Sequence, residues 1–336
     1  MKAVLCFGEL LLRLSPDLEG KWLDKNSITF YVGGAEANVA AALAKWDVPV
    51  KYCTAIPENY LSKQMADYLA KKNIDVTRII YCGDKLGLYY LPENADLKHH
   101  SVIYDRNNSS FATLKKGTID WHKVLDGIDW FHFSAISPAI SRDVAEICKE
   151  ALTTANKKNI TVSVDLNYRS KLWQYGDQPA QIMPGLVEHC DIIMGNVWAA
   201  STMLNMPLDG RLREKDKKEI YLEQSKLTSE AIIRQFPRCK AVANTFRFEE
   251  EKKIKYYATL FTNNSLFVSK EHFAEQVTDK VGSGDCFMAG LIYGFHHGLQ
   301  PQNILDFATA AAFEKLFVKG DFTDKTTTEI NATIKK

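Results

Sequence analysis

Short apolar runs, each closed by a polar residue or a glycine, recur along the chain: AVLCF at 3–7, WFHFS at 130–134, ITVSVDL at 160–166, DIIMG at 191–195 and KAVAN at 240–244. Such runs read as strands buried on both faces of a parallel sheet. Helical stretches lie between them at 35–46, 60–72, 141–157, 179–189, 196–205 and 227–235. The alternation of strand and helix predicts a mostly parallel central sheet with helices on both sides. Three segments break the rhythm: SITFYV (27–32), GLYYLPE (87–93) and HSVIYDR (100–106) alternate with a period of two, in the manner of half-exposed antiparallel strands. They predict a small β-rich lid, its strands drawn from about 10–32 and 86–106, of the kind that excludes water from a reaction. Several short strands are expected over 253–278, then apolar helices at 284–297 and 302–318 and a closing helix at 325–334. The charged stretch at 209–226 reads as a solvated loop or an exposed helix.

Composition narrows the classes. A chain of 336 residues, 46% hydrophobic and 25% charged, has ample material for a core and is read as one domain spanning 1–336. A formal net charge of +1 supplies no global field for nucleic acid or a membrane surface, so any anion site must be local. The 7 cysteines form no C-x-x-C pair, which favours buried thiols in a reducing compartment over a disulfide framework or a zinc site. The N-terminal apolar run is too short for a signal segment and no run approaches bilayer length, so the expectation is a cytoplasmic protein.

The stretch DKVGSGDCF, Asp279 to Phe287, concentrates the chemistry. Gly282, Ser283 and Gly284 open a predicted helix and would present unpaired N–H groups, a geometry suited to an anion. A carboxylate at Asp285 repels anions, so it needs a separate task; as a mere first-turn acid it would contribute only about 0.3–1 kcal/mol. No G-x-x-x-x-G-K-[ST] occurs, and no G-x-G-x-x-G follows the first strand, which removes the usual P-loop and dinucleotide fingerprints.

D-x-x-G-x-G-D resembles the signature of the ribokinase-like (PfkB) sugar kinases. The resemblance implies a three-layer α/β sandwich with a strand lid, ATP as phosphoryl donor and Mg²⁺ as its companion. It implies an anion hole made by Gly282, Ser283 and Gly284, with Asp285 taking the proton from the attacking hydroxyl. YVGGAEANVA at 31–40 resembles the first signature of the same family, in which Gly33 and Gly34 let a sugar approach and Asn38 bonds a hydroxyl. GLYYL, VIYDR, DLNYRSKLW, Glu36 and the KGD at 319–321 are similar to 2-keto-3-deoxygluconate kinases. By that similarity Tyr89, Tyr104, Arg106, Arg169 and Asp321 surround an acidic sugar. Two arginines on separate segments suit a carboxylate, because a guanidinium pairs with it bidentately; Asp105, Asp165 or ATP phosphates are alternative partners for them.

Two departures stand out. The family's N-x-x-E reads Asn196-Val197-Trp198-Ala199 here, which removes the glutamate tied to magnesium handling. The glycine-rich nucleotide stretch is replaced by NTFRFEEEKK, leaving Asn167, Thr245 and Arg247 as expected nucleotide contacts and a solvated hairpin end as the alternative. His99-His100 and His296-His297 are neighbours that would not share a helix face, so metal ligation is not expected. Cys286 reads as a packed thiol. A kinase for a neutral ketose such as fructose, a non-catalytic sugar or nucleotide sensor and a nicotinamide dehydrogenase are the competing functions. Relatives that pair through their lids leave a homo-oligomer open.

Overall fold

Val4 and Cys6 of the first strand face one layer of helices, while Leu5 and Phe7 face another. That division runs through the whole central sheet of the computed structural model. It describes residues 2–16, 22–23, 26–93, 102–213, 217–250 and 253–335. Parts of the expected lid (17–21, 24–25 and 100–101), the His99-His100 pair and part of the charged stretch (214–216) lie outside the described residues.

Strands β1 (Ala3–Phe7), β2 (Leu11–Ser15) and β3 (Thr29–Gly33) lead into helix α1 (Ala35–Lys45). Then come β4 (Val50–Ile56), α2 (Tyr60–Ala70), β5 (Asp75–Tyr81), β6 (Gly87–Tyr90) and β7 (Ile103–Asp105). The middle of the chain forms α3 (Trp121–Val124), β8 (Ile128–Ser134), α4 (Ile136–Ile140), α5 (Arg142–Lys157), β9 (Thr161–Asp165), α6 (Pro179–Ile182), α7 (Pro184–Val187), β10 (Ile192–Gly195) and α8 (Val197–Leu204). The remainder forms α9 (Lys218–Gln235), β11 (Ala241–Glu250), β12 (Lys253–Thr262), β13 (Ser265–Val268), β14 (His272–Ala274), α10 (Ser283–His296), α11 (Pro301–Lys315) and α12 (Thr327–Ile334).

The central sheet runs β13-β12-β11-β10-β9-β8-β1-β4-β5, with β14 beside β12. Pairing is parallel from β11 to β5 and antiparallel where β12 joins β11, β13 and β14. Helices α1, α2, α10, α11 and α12 pack on one face, and α3, α5, α7, α8 and α9 on the other. Helix α5 shows why the layers form. Val144, Ile147, Cys148, Ala151, Leu152 and Ala155 are buried at spacings of three and four, and the Ser141 hydroxyl accepts from the Val144 amide at its start. Among the described residues no helix is long and apolar enough to cross a membrane.

The lid is the second sheet, ordered β3-β2-β6-β7. Its outer pairs are antiparallel, whereas β2 and β6 run parallel, so the lid is not the wholly antiparallel unit that period-two alternation predicts. Three other expectations need correction. The helix expected at 179–189 is broken into α6 and α7, because Pro184 removes a backbone donor in its middle. The second half of the charged stretch, from Lys218, opens α9, and this helix is not simply exposed, since it buries Gln224, Ser225 and Thr228 among other polar groups; the Ser225 and Thr259 hydroxyls bond at 2.6 Å. The strand ending near 244 instead continues to Glu250, in ten cross-strand pairs with β12. Phe246 and Tyr257 stack on one face of that hairpin while Thr245, Arg247 and Tyr256 share the other, so alternation rather than overall polarity decides its structure.

The lid is fastened to the body by Arg13, a fully buried arginine in β2. Its Nε donates to Asp321 at 2.7 Å, one terminal nitrogen to Asp279 at 2.7 Å and the other to Ser15 Oγ at 3.3 Å, and its face lies 4.4 Å from the Tyr31 ring centre. Burial works against the guanidinium charge, and Asp321 and Asp279 more than offset it, so the proton is held above the ordinary arginine range. Asp279 also accepts from the amides of Val281 at 3.0 Å and Gly320 at 3.1 Å. Arg13→Met should destabilise the protein by about 3–5 kcal/mol in urea unfolding, since it strands two buried carboxylates. Arg13→Lys should recover only part of the loss, because a single ammonium cannot match a fork that spans both acids.

Candidate active site

A cavity of about 490 Å³ opens beneath the lid, outside the carboxyl ends of β9 and β10, where open α/β sheets place their ligands. Gly34, Asn38, Tyr89, Tyr104 and Arg106 reach it from α1 and the lid. Asn167 and Arg169 reach it from the segment after β9, and Thr245 and Arg247 from β11. Gly282, Ser283, Gly284, Asp285 and Asp321 complete the gathering of residues read from the sequence. Gly33 is the exception. It does not line the cavity; a methyl there would stand 2.4 Å from Asp321 Oδ2, so its bareness serves the fit between β3 and Asp321.

The glycine loop has the geometry its composition suggests. Gly282 caps α10 with φ +81°, a left-handed conformation, and a side chain on it would meet the Asp321 carbonyl oxygen at 2.3 Å. No side chain caps the helix, so the first-turn amides of α10 remain without intrahelical partners, and the residues that carry them line the cavity. Below the loop the fully buried Lys315 donates its ammonium to the carbonyls of Val318 at 3.0 Å and Gly320 at 2.8 Å. That bond pair folds the 318–320 turn against Gly282, and burial lowers the Lys315 pKa.

Asp285 is buried at the cavity floor, with one oxygen accepting from Asn38 Nδ2 at 2.6 Å. Burial pushes its carboxyl up to about 7; the Asn38 bond and the charge of Arg169 pull against that, while Glu36 and Asp321 add to it. Asp165, also on the wall, is pushed well above the carboxylate range by burial and by the neighbouring Asp285, against the pull of Arg169.

The two arginines differ. Arg106 Nε is bound to Glu9 at 2.6 Å, and the other Glu9 oxygen takes the Ser109 hydroxyl, so this arginine is anchored by an acid absent from the candidate partners. Asp105 instead pairs with Lys85. Arg169 bonds only the carbonyl of Tyr168, at 3.3 Å, among the described residues, and lines the cavity half-buried. Tyr89 donates to Asp321 at 3.3 Å and lies opposite Tyr104, their ring centres 6.2 Å apart. Glu36 faces away from the cavity. It accepts from the Ser134 amide at 2.8 Å and from the hydroxyls of Ser134 at 2.7 Å and Ser137 at 3.2 Å, pinning the start of α1 to β8.

Asn196 spends its side-chain oxygen on the Ala199 amide, at 2.9 Å, as the cap of α8. The described residues contain no group of three or more acidic, histidine or cysteine side chains able to hold a metal by themselves. Asp165 and Asn167 supply oxygen donors to the cavity, a set suited to a hard cation that keeps most of its shell as water and phosphate. His296 pairs with Asp129 at 3.1 Å, and His297 packs on Tyr293. Cys286 turns its thiol to the Ala311 carbonyl, and burial pushes it up to about 12. Sequence reasoning overlooked Arg13, Lys315 and Tyr256; a lone lysine in the apolar stretch ATAAAFEKLF was the one local signal for any of them.

The sequence profile of the pfkB family carbohydrate kinases matches residues 1–327. A crystal structure of 2-dehydro-3-deoxygluconokinase from Thermotoga maritima is 32% identical, with a TM-score of 0.90 over 100% of both chains. A 2-dehydro-3-deoxygalactonokinase of Haloferax volcanii is 25% identical over 99% of this chain and 96% of its own. A fructokinase from Xylella fastidiosa with bound ATP shares the fold, with a TM-score of 0.76 at 21% identity over 99% of this chain and 98% of its own. The ribokinase-like three-layer expectation is borne out.

The raised carboxyl at Asp285 has a consequence for stability. Its folded pKa lies above the unfolded value of 3.8, so the stability it contributes is complete below that value and is lost as pH rises through about 7. Asp285→Asn should therefore stabilise the protein at pH 8 by on the order of 2–4 kcal/mol. The gain should shrink toward pH 4, as followed by urea unfolding at both pH values.

Proposed function

The chain belongs to the pfkB family of carbohydrate kinases, and on that footing we propose that it transfers the γ-phosphate of ATP to 2-dehydro-3-deoxy-D-gluconate, giving the 6-phosphate. The observation that carries the reading is a buried carboxyl, held near neutrality, one helical turn inside a loop of uncapped amides on a shared cavity. A base whose pKa lies near the working pH is both available and strong enough to take a hydroxyl proton.

In this reading Asp285 removes the proton from the acceptor hydroxyl as its oxygen bonds to the γ-phosphorus. The bond from that phosphorus to the β–γ bridging oxygen breaks, and ADP leaves with the electron pair. The amides at Gly282–Gly284 face the non-bridging oxygens, where charge must be steadied throughout a largely dissociative transfer. Asn38 orients Asp285 through the 2.6 Å bond and keeps its own side-chain oxygen for the acceptor. Asp165 and Asn167 would hold Mg²⁺ carried on the triphosphate, which would neutralise phosphate charge. Arg169 and the terminal nitrogens of Arg106 supply the positive charge that a sugar carboxylate needs, and Tyr89 with Asp321 forms a preset polar wall beside it. The names of the sugar-acid kinases that this chain resembles support the same substrate class.

Asp285→Asn should lower kcat by about 10²–10⁴-fold with nucleotide binding retained. The parent kcat/KM should rise with pH through about 7, because only the ionised base accepts the proton. A variant with parental turnover and the same pH profile removes the proposed base.

An acceptor screen with coupled ADP detection tests the substrate. 2-Dehydro-3-deoxy-D-gluconate should exceed fructose in kcat/KM, and Arg169→Ala should lower the acid's value by about 10–100-fold, the size of a lost charged hydrogen bond. Equal losses on fructose and the acid would point to a neutral acceptor.

A further inference from the structure

Buried side-chain polar atoms without a partner among the described residues include two on the cavity wall: the Asn38 oxygen and the hydroxyl of Tyr256. Asn38 already has a task beside Asp285. Tyr256 has none, and nothing read from the sequence pointed to it. Its residue is 3% exposed, and its ring packs in the apolar layer with Ile254 and Ala258 of the same strand against α10 and α11. A phenol buried to that degree normally finds a partner for its hydroxyl. Leucine or phenylalanine would fill the apolar space without leaving a polar atom stranded.

Placement says what the hydroxyl serves. In the β11–β12 hairpin Tyr256 is the direct cross-strand partner of Arg247, so both side chains leave the sheet on the same face, and both line the cavity. The ionisable groups acting on the hydroxyl are Arg247, Cys286 and Asp165, which set it at the seam where β9, β11 and the start of α10 converge. The hairpin is also tied to the glycine loop itself, since Lys280 donates to both oxygens of Glu249 at 2.5 and 2.7 Å. The hydroxyl therefore stands beside a cation and close to the anion-facing amides. It remains a donor there, because burial keeps the phenol protonated despite the pull of Arg247.

We propose that the Tyr256 hydroxyl donates a hydrogen bond to a phosphate oxygen of the bound nucleoside triphosphate, as a nucleotide-positioning residue on the β11–β12 hairpin. The proposal rests on the kinase reading above and adds a specific contact to it. It also gives the ten-pair hairpin a purpose: extending β11 and β12 past the body carries Arg247 and Tyr256 to the phosphate end of the cavity.

Tyr256→Phe deletes only the oxygen. Without nucleotide, the thermal midpoint of the variant should equal or exceed that of the parent, because an unpaired buried hydroxyl is removed. The rise in midpoint on adding MgADP or MgATP should shrink, and KM for MgATP should increase about 10-fold or more, the scale of a bond to a charged group. KM for the sugar acid should stay within about twofold. A parental MgATP KM and parental nucleotide-induced midpoint rise overturn the proposal. So does a lowered midpoint without a nucleotide effect, which marks a packing role, and so does a change confined to the sugar KM. If the parent binds nucleotide but phosphorylates no sugar acid, the substrate reading fails while the midpoint comparison still decides on Tyr256. If the parent binds neither MgADP nor MgATP, both fall.

Discussion

Three carboxylates and one guanidinium decide where everything else in the cavity can stand. Arg13 comes from the lid, Asp279 from the glycine loop and Asp321 from the turn after α11, and the arginine bonds both acids at 2.7 Å with almost no exposure to solvent. The third acid, Asp285, lies six residues past Asp279 on the same loop and receives nothing from that arginine. Two short ionic bonds thus fix three chain segments far apart in sequence. The Asp321 carbonyl oxygen presses on Gly282 so closely that only glycine fits, and Lys315 holds the same turn from below. Backbone amides can point at an anion only if the backbone cannot relax away from it, and this cluster prevents that.

The segments that fold by local rules were legible. The apolar runs gave the central strands, the capped amphipathic stretches gave the helices, and Gly282-Ser283-Gly284-Asp285 announced a helix start built for an anion with an acid beside it. What escaped depends on partners distant in sequence. Arg13 reads locally as an interruption of an apolar segment, and its burial is intelligible only from acids 266 and 308 positions away. Arg106 was assigned to an acidic sugar, with Asp105, Asp165 or ATP phosphates as alternatives, and its Glu9 partner was not among them. The buried side of the β11–β12 hairpin and of the start of α9 went unread because it carries Ser, Thr, Gln and Tyr, whose hydroxyls and amides satisfy one another only after the strands have met.

The site concentrates charge in a chain that is nearly neutral overall. Glu9, Glu36, Asp165, Asp279, Asp285 and Asp321 are all buried in or around the cavity, balanced by Arg13, Arg106, Lys315 and the half-buried Arg169. Glu9, Glu36 and Asp279 each collect hydrogen bonds that account for their burial. Asp165 and Asp285 collect fewer, and burial drives both carboxyls upward, as it does those of Glu36 and Asp321. Burying incompletely compensated acids in a low-dielectric site weakens the fold and raises their proton affinity together.

Asp279 and Asp285 show how one loop makes the same side chain do opposite work. Asp279 accepts from a guanidinium and two amides, so its charge is fully engaged and it acts as a clamp. Asp285 accepts from a single amide nitrogen of Asn38 and is otherwise shielded by apolar neighbours of α10, so its proton is left poised. The difference follows from Gly282. Its left-handed turn ends the run of amides engaged by Asp279 and starts a helix, and the helix carries the next acid away from Arg13 and into the cavity. Any residue with a Cβ at that point would have to displace the Asp321 carbonyl, loosening the clamp and shifting Asp285 together. The clamp at Asp279 and the placement of Asp285 are therefore not separable features of the loop, and the spacing D-x-x-G-x-G-D is the shortest description of their mechanical connection.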